Sequence, residues 1–135
     1  MTRPSLIRCL LVLPEVAALL RRLRRVHGGA TPAELVAAAT PPPDVCNWPL
    51  DRAEAATWLA RALVRRLPGA FPQPCLYFCL AGYRFLRCGG RLPALHVGVR
   101  ETEAGIVSHA WLTVDEAPVF DDPIGQGFTE MIVYR

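Results

Sequence analysis

The chain has 135 residues, of which 52% are hydrophobic and 20% charged. That length is expected to hold one domain with its own core, and that composition excludes a disordered chain. The net charge is +3, and all 15 cations are arginines because lysine is absent. The clusters Arg21, Arg22, Arg24, Arg25 and Arg65, Arg66 lie on stretches that also carry apolar stripes, so they read as solvated helix faces rather than a nucleic-acid surface.

Residues 5–26 are predicted to be helical, with Leu6, Leu10, Leu13, Ala17, Leu20 and Leu23 recurring three or four apart. Pro14 is expected to kink or split this stretch, and Gly28-Gly29 to stop it. Arg8, Pro14 and Glu15 interrupt the run too soon for a membrane span, and no small-residue cleavage site follows. Thr31-Pro32-Ala33-Glu34 is a capping box that opens a short helix to about Ala39. Pro41-Pro42-Pro43 then makes a stiff connector within the domain. Asp51 is expected to cap a third helix, whose stripe is Ala55, Trp58, Leu59, Ala62, Leu63 and Leu67. Pro68-Gly69 ends it, and the constrained loop Phe71-Pro72-Gln73-Pro74 leads into a fourth helix over 75–87, closed by Gly89-Gly90.

Beyond that point the apolar period changes from 3.6 to 2. Residues 94–100 and 106–114 are predicted strands joined at Glu103-Ala104-Gly105, with weaker strands at Val119–Asp121 and Ile132–Tyr134. Helices followed by an antiparallel meander make an α+β fold. Its division is a helical N-terminal extension over 1–50 and a core over 51–135.

Five cysteines with no CxxC pair and no secretory signal point to free thiols in a reducing cytoplasm. Cys75 follows Pro74 in the first turn of a helix, where open N–H groups and the helix dipole favour thiolate and can hold an oxyanion. His109 sits in a strand-like run, suited to act as base toward that cysteine. Asp121 follows 12 residues later, placed to orient the imidazole, and Asp122 is its close rival. Cys79, one turn after Cys75, should face the core, Cys88 marks a helix end, and Cys9 and Cys46 stand alone. Cys75, Cys79, His96 and His109 can be drawn as a metal site, but Cys-x3-Cys within a helix is a poor zinc signature. His27 and His96 read as non-catalytic, since no carboxylate follows His96 along its strand. No glycine-rich phosphate loop and no paired carboxylates occur, and neither cofactor nor metal is expected.

Pro74-Cys75-Leu76, Gly89-Gly90, Leu95-His96-Val97-Gly98-Val99-Arg100, His109-Ala110-Trp111 and Asp121-Asp122-Pro123, in this order, resemble the lasso peptide leader peptidases. The match is to the free-standing peptidase half of the lasso B protein, within the transglutaminase-like cysteine peptidases, and covers about residues 50–123. The resemblance implies a transglutaminase/papain-like core with Cys75 as nucleophile, His109 as base and Asp121 as the third member. It also implies a substrate, a ribosomally made precursor peptide cut between leader and core, commonly two residues after a leader threonine. The expected partners are a separate leader-binding protein (a RiPP recognition element), for which this chain has no room, and a macrolactam synthetase that closes the ring. Two departures stand out: Cys79 replaces a small residue or serine, and Leu112 to Ala117 replaces a run in which acid or glycine is common.

Two other readings share these residues. A transglutaminase-like acyltransferase would use the same site with a different acceptor. A non-catalytic adaptor would instead dock a partner through the first helix, which is also placed to pack on the core or to touch a membrane surface.

Overall fold

The computed structural model describes residues 1–44, 46–120 and 126–135. Four helices come first, α1 (Leu6–His27), α2 (Pro32–Ala39), α3 (Leu50–Arg66) and α4 (Pro74–Cys88). Four strands follow, β1 (Ala94–Thr102), β2 (Gly105–Val114), β3 (Ala117–Pro118) and β4 (Thr129–Tyr134). They form one antiparallel sheet in the order β3-β2-β1-β4, which is the expected α+β architecture.

The helix ends follow their caps. Ser5 and Thr31 accept from the N–H groups of Arg8 and Glu34, at 3.4 and 3.2 Å. Asp51 is not the cap of α3. That position is Pro49, and Asp51 lies in the first turn, where its carboxylate complements the dipole. Pro14 does not split α1, which is continuous through it.

The predicted helix stripes need correction. In α1 the buried side is Cys9, Val12, Val16, Leu19, Leu20 and Leu23, while Leu6 and Leu10 are 74% and 57% exposed. Its first half is apolar almost all round, so spacing alone did not single out a face. In α3 the buried side is Ala53, Ala55, Ala56, Thr57, Ala60 and Val64, with the bulkier Trp58, Leu59 and Leu63 at the margin and Leu67 exposed. Small residues win there because α3 and α4 approach closely. A Cβ on Gly82 would lie 3.1 Å from Thr57 Cγ2, and one on Gly89 2.6 Å from the Ala53 Cβ.

The core continues from these helices onto one face of the sheet. Leu95 and Val97 of β1 and Ala110 and Leu112 of β2, paired across the ladder, pack against the α4 layer. Strand alternation therefore puts His96, Gly98, His109 and Trp111 on the opposite face. The third strand was expected over Val119–Asp121. The observed β3 is Ala117–Pro118, with the Val119 N–H donating to the Leu112 carbonyl at 3.0 Å. Asp121 lies outside the described residues.

The expectation of five free thiols is also corrected, because Cys46 and Cys88 are disulfide-bonded. Their Cα atoms stand 4.6 Å apart although 42 residues separate them. The antiparallel return of α3 and α4 closes that distance, and the Trp48 N–H donates to the Cys88 carbonyl at 2.9 Å. A compartment read from free thiols loses its basis. No helix among the described residues is long and apolar enough to cross a membrane.

Candidate active site

Cys75 occupies the second position of α4, behind Pro74. Proline has no N–H, and Gln73 gives no side-chain cap. The first backbone bond of the helix is Tyr77 N–H to Gln73 O at 3.2 Å. Among the described residues the N–H groups of Cys75 and Leu76 have no backbone acceptor, so two donors stand open at the mouth of the helix. The Cys75 side chain is half-buried against the core margin.

The turn below Cys75 is held by aromatic packing. Tyr77 is 1% exposed, with ring centroids of Phe71 and His27 at 5.1 and 5.5 Å. Burial pushes its phenol pKa above the ordinary value, with the Arg24 charge pulling the other way, and its hydroxyl is buried without a hydrogen-bond partner among the described residues.

Two contacts fix the direction of α4 over the sheet. The Cys79 thiol donates to the Ala110 carbonyl at 3.4 Å, and Gly82 lies against the Leu112 side chain. Helix and strand thus run the same way. One turn back from Cys79 is about 6 Å, which brings Cys75 level with Ser108 and His109, about two strand residues back from Ala110. Ser108, which shares the face of Ala110, is exposed, so the helix layer ends at that level.

His109 is half-buried and lies opposite Gly98 in the β1–β2 ladder. Its ring centroid is 5.0 Å from that of Phe128 and 6.3 Å from that of Trp111. β3 pairs only with Thr113 and Val114, so the described sheet stops short of His109 on that side. Asp121 and Asp122 fall among residues 121–125, outside the described set. The chain on either side of them is anchored at both parts of the site. Phe120 meets Phe78 of α4 edge-on at 5.9 Å, and Phe128 lies beside His109.

His96 has a carboxylate after all, supplied by another strand. Its Nε2 is 2.7 Å from Thr113 Oγ1, and its Nδ1 is 3.3 Å from Glu130 Oε1, near enough to pair electrostatically though not in line for a hydrogen bond. Its ring stacks on Trp111 at 5.4 Å, nearly parallel. Cys79 is buried in the core, and among the described residues no group of three metal-ligating side chains forms. Arg100 donates to the Gln126 carbonyl at 2.8 Å and covers Phe128. Arg87 lies over Tyr83.

Gly98 stands in the Leu95–Arg100 motif, but its packing role is not evident from the sequence. Trp111 lies over it, so that a Cβ there would come within 2.7 Å of the indole. The signal was present as His109 and Trp111 two apart, hence on one face, with a glycine in the partner strand.

Residues 12–133 match the family model of the transglutaminase-like superfamily. No curated protein and no solved structure matches the chain.

Proposed function

The chain belongs to the transglutaminase-like superfamily, a group of cysteine peptidases and acyltransferases, and on that premise we propose that it is a cysteine peptidase with Cys75 as nucleophile. The observation that carries this reading is the uncapped mouth of α4. A sulfur there has beside it two N–H donors with no backbone acceptor among the described residues, and the Cys79–Ala110 contact one turn on supports an imidazole of β2 at the same level. These donors can donate to the oxyanion that forms when sulfur attacks a carbonyl.

His109 serves as the base. Its ring is on the far face of β2, at the end of the helix layer and beside the side of the strand that β3 does not cover. Proton exchange with Cys75 therefore runs round the strand rather than across the sheet. Asp121, between segments anchored at Phe78 and His109, orients the imidazole. His109 takes the thiol proton, the thiolate forms an acyl-enzyme, the amine leaves with a proton from His109, and water releases the acid. The substrate in this reading is a lasso-type precursor peptide cut between leader and core, presented by a leader-binding protein, with a macrolactam synthetase acting next.

The test is incubation of precursor and leader-binding protein with native, Cys75→Ala, His109→Ala and Cys79→Ala chains, read by mass spectrometry. Leader removal by the native and Cys79→Ala chains, but not by the other two, is expected. Cleavage by Cys75→Ala would falsify the proposal, and a product that has gained an amine in place of water would make the chain an acyltransferase.

A further inference from the structure

The far end of α4 carries a second feature, unconnected with acyl transfer. A cavity of about 310 Å³ opens between α1, α4 and the segment around Trp48, beside the Cys46–Cys88 bond. One end is cationic. Arg22 of α1 and Arg84 of α4 both line it, and among the described residues neither has a carboxylate within ion-pair distance. Among the described residues the one hydrogen bond of Arg84 is a long one, 3.5 Å to the Ala39 carbonyl. Burial chiefly, and the nearby Arg22 charge second, lower the Arg84 pKa.

The other end is an acceptor. Glu15 lies two helical turns before Arg22, about 10 Å along α1. Its Oε1 takes the Arg52 guanidinium at 2.7 Å, while Oε2 is buried with no hydrogen-bond partner among the described residues. Trp48 and Phe85, stacked at 5.4 Å, form a flat apolar wall of the cavity. Arg52 covers Trp48 at 4.0 Å from the ring. The Trp48 bond to the Cys88 carbonyl and the disulfide hold this wall in place.

Paired guanidiniums with spare forked donors suit a carboxylate. An unfilled carboxylate oxygen suits an N–H, and a stacked aromatic pair suits an apolar body between the two. We propose that this cavity binds the acidic end of a peptide, a carboxylate on the Arg22–Arg84 pair with a peptide N–H on Glu15. The carboxylate comes from a chain terminus or from an acidic side chain.

The experiment titrates the full chain with acetyl-Ala-Ala-Phe carrying a free C-terminus, its C-terminal amide, acetyl-Ala-Glu-Phe-amide and inorganic phosphate, followed by calorimetry. The free acid or the glutamate peptide should bind at least about tenfold more tightly than the plain amide. Preference between these two identifies the source of the carboxylate. Arg22→Gln, at an exposed position where folding is not at stake, should weaken the preferred peptide by about tenfold. Glu15→Gln should weaken it less, and Cys75→Ala should leave it unchanged, so that a failed peptidase reading and a failed binding site are told apart. Equal binding of acid and amide, no effect of Arg22→Gln, or tighter binding of phosphate than of either acid overturns the proposal.

Discussion

Replacing Gly98 with alanine tests the outer face of the sheet on which His109 sits. The new Cβ would lie 2.5 Å from the Thr129 carbonyl oxygen and 2.7 and 2.8 Å from two atoms of the Trp111 ring. The first obstacle is backbone of the adjacent strand and the second is a buried indole stacked on His96, so neither yields cheaply. Overpacking of this kind costs about 1–3 kcal/mol, and backbone involvement places Gly98→Ala at about 2–3. For 135 residues the unfolding entropy converts each kcal/mol into roughly 3–4 °C, so a loss of about 7–10 °C in Tm is expected. Gly28→Ala is the control, since its φ is −59° and nothing lies within 4 Å of the added Cβ. Differential scanning calorimetry on both reads the result, and a peptidase assay should show Gly98→Ala impaired through displacement of Trp111 and His109. A Gly98→Ala chain melting within about 1 °C of the native one would refute the packing argument.

Tyr77→Phe should stabilise the protein by about 1 kcal/mol, because it removes a buried hydroxyl that has no hydrogen-bond partner among the described residues while keeping the ring. The raised phenol pKa gives a sign as well: its contribution is intact below the ordinary value of 10.0 and is lost as pH rises past it. Urea midpoints should therefore fall with rising alkaline pH more in the native chain than in Tyr77→Phe. Cutting the Cys46–Cys88 link by Cys46→Ser should cost up to about 4 kcal/mol for a closure of 42 residues, measured by denaturation with reductant as the parallel treatment. Leu23→Ala, at a fully buried position of α1, should cost about 2–5 kcal/mol, whereas Leu10→Ala on its exposed side should stay within about 0.5. Equal losses at the two sites would mean that the buried side of α1 is misassigned.

Element types were legible because their signals were local. Thr31 and Glu34 announced α2, Pro74 and Gly89 bracketed α4, and the change of period after Gly90 marked the sheet. What stayed hidden depended on neighbours distant in sequence. Cys46 looked isolated because its partner arrives only when α3 and α4 fold back together. His96 looked unsupported because Glu130 comes from β4, three strands later in the chain. The buried side of α3 was masked because alanines carry a weak apolar signal, although Ala53 lies against Gly89 where α4 approaches.

The candidate base illustrates the same division most sharply. A run of period two says that a strand has two faces, but not which of them meets the helices. Leu112 fits against Gly82 of α4, and Ala110 is small enough to admit the Cys79 thiol to its carbonyl. Trp111 needs far more room, and the ladder offers it at Gly98, directly opposite His109. Alternation then carries His109 to the side of Trp111, where Phe128 meets it. The position of the imidazole therefore follows from a tryptophan and a glycine acting together. Both were visible in the sequence, yet only the register of β1 against β2 makes them neighbours.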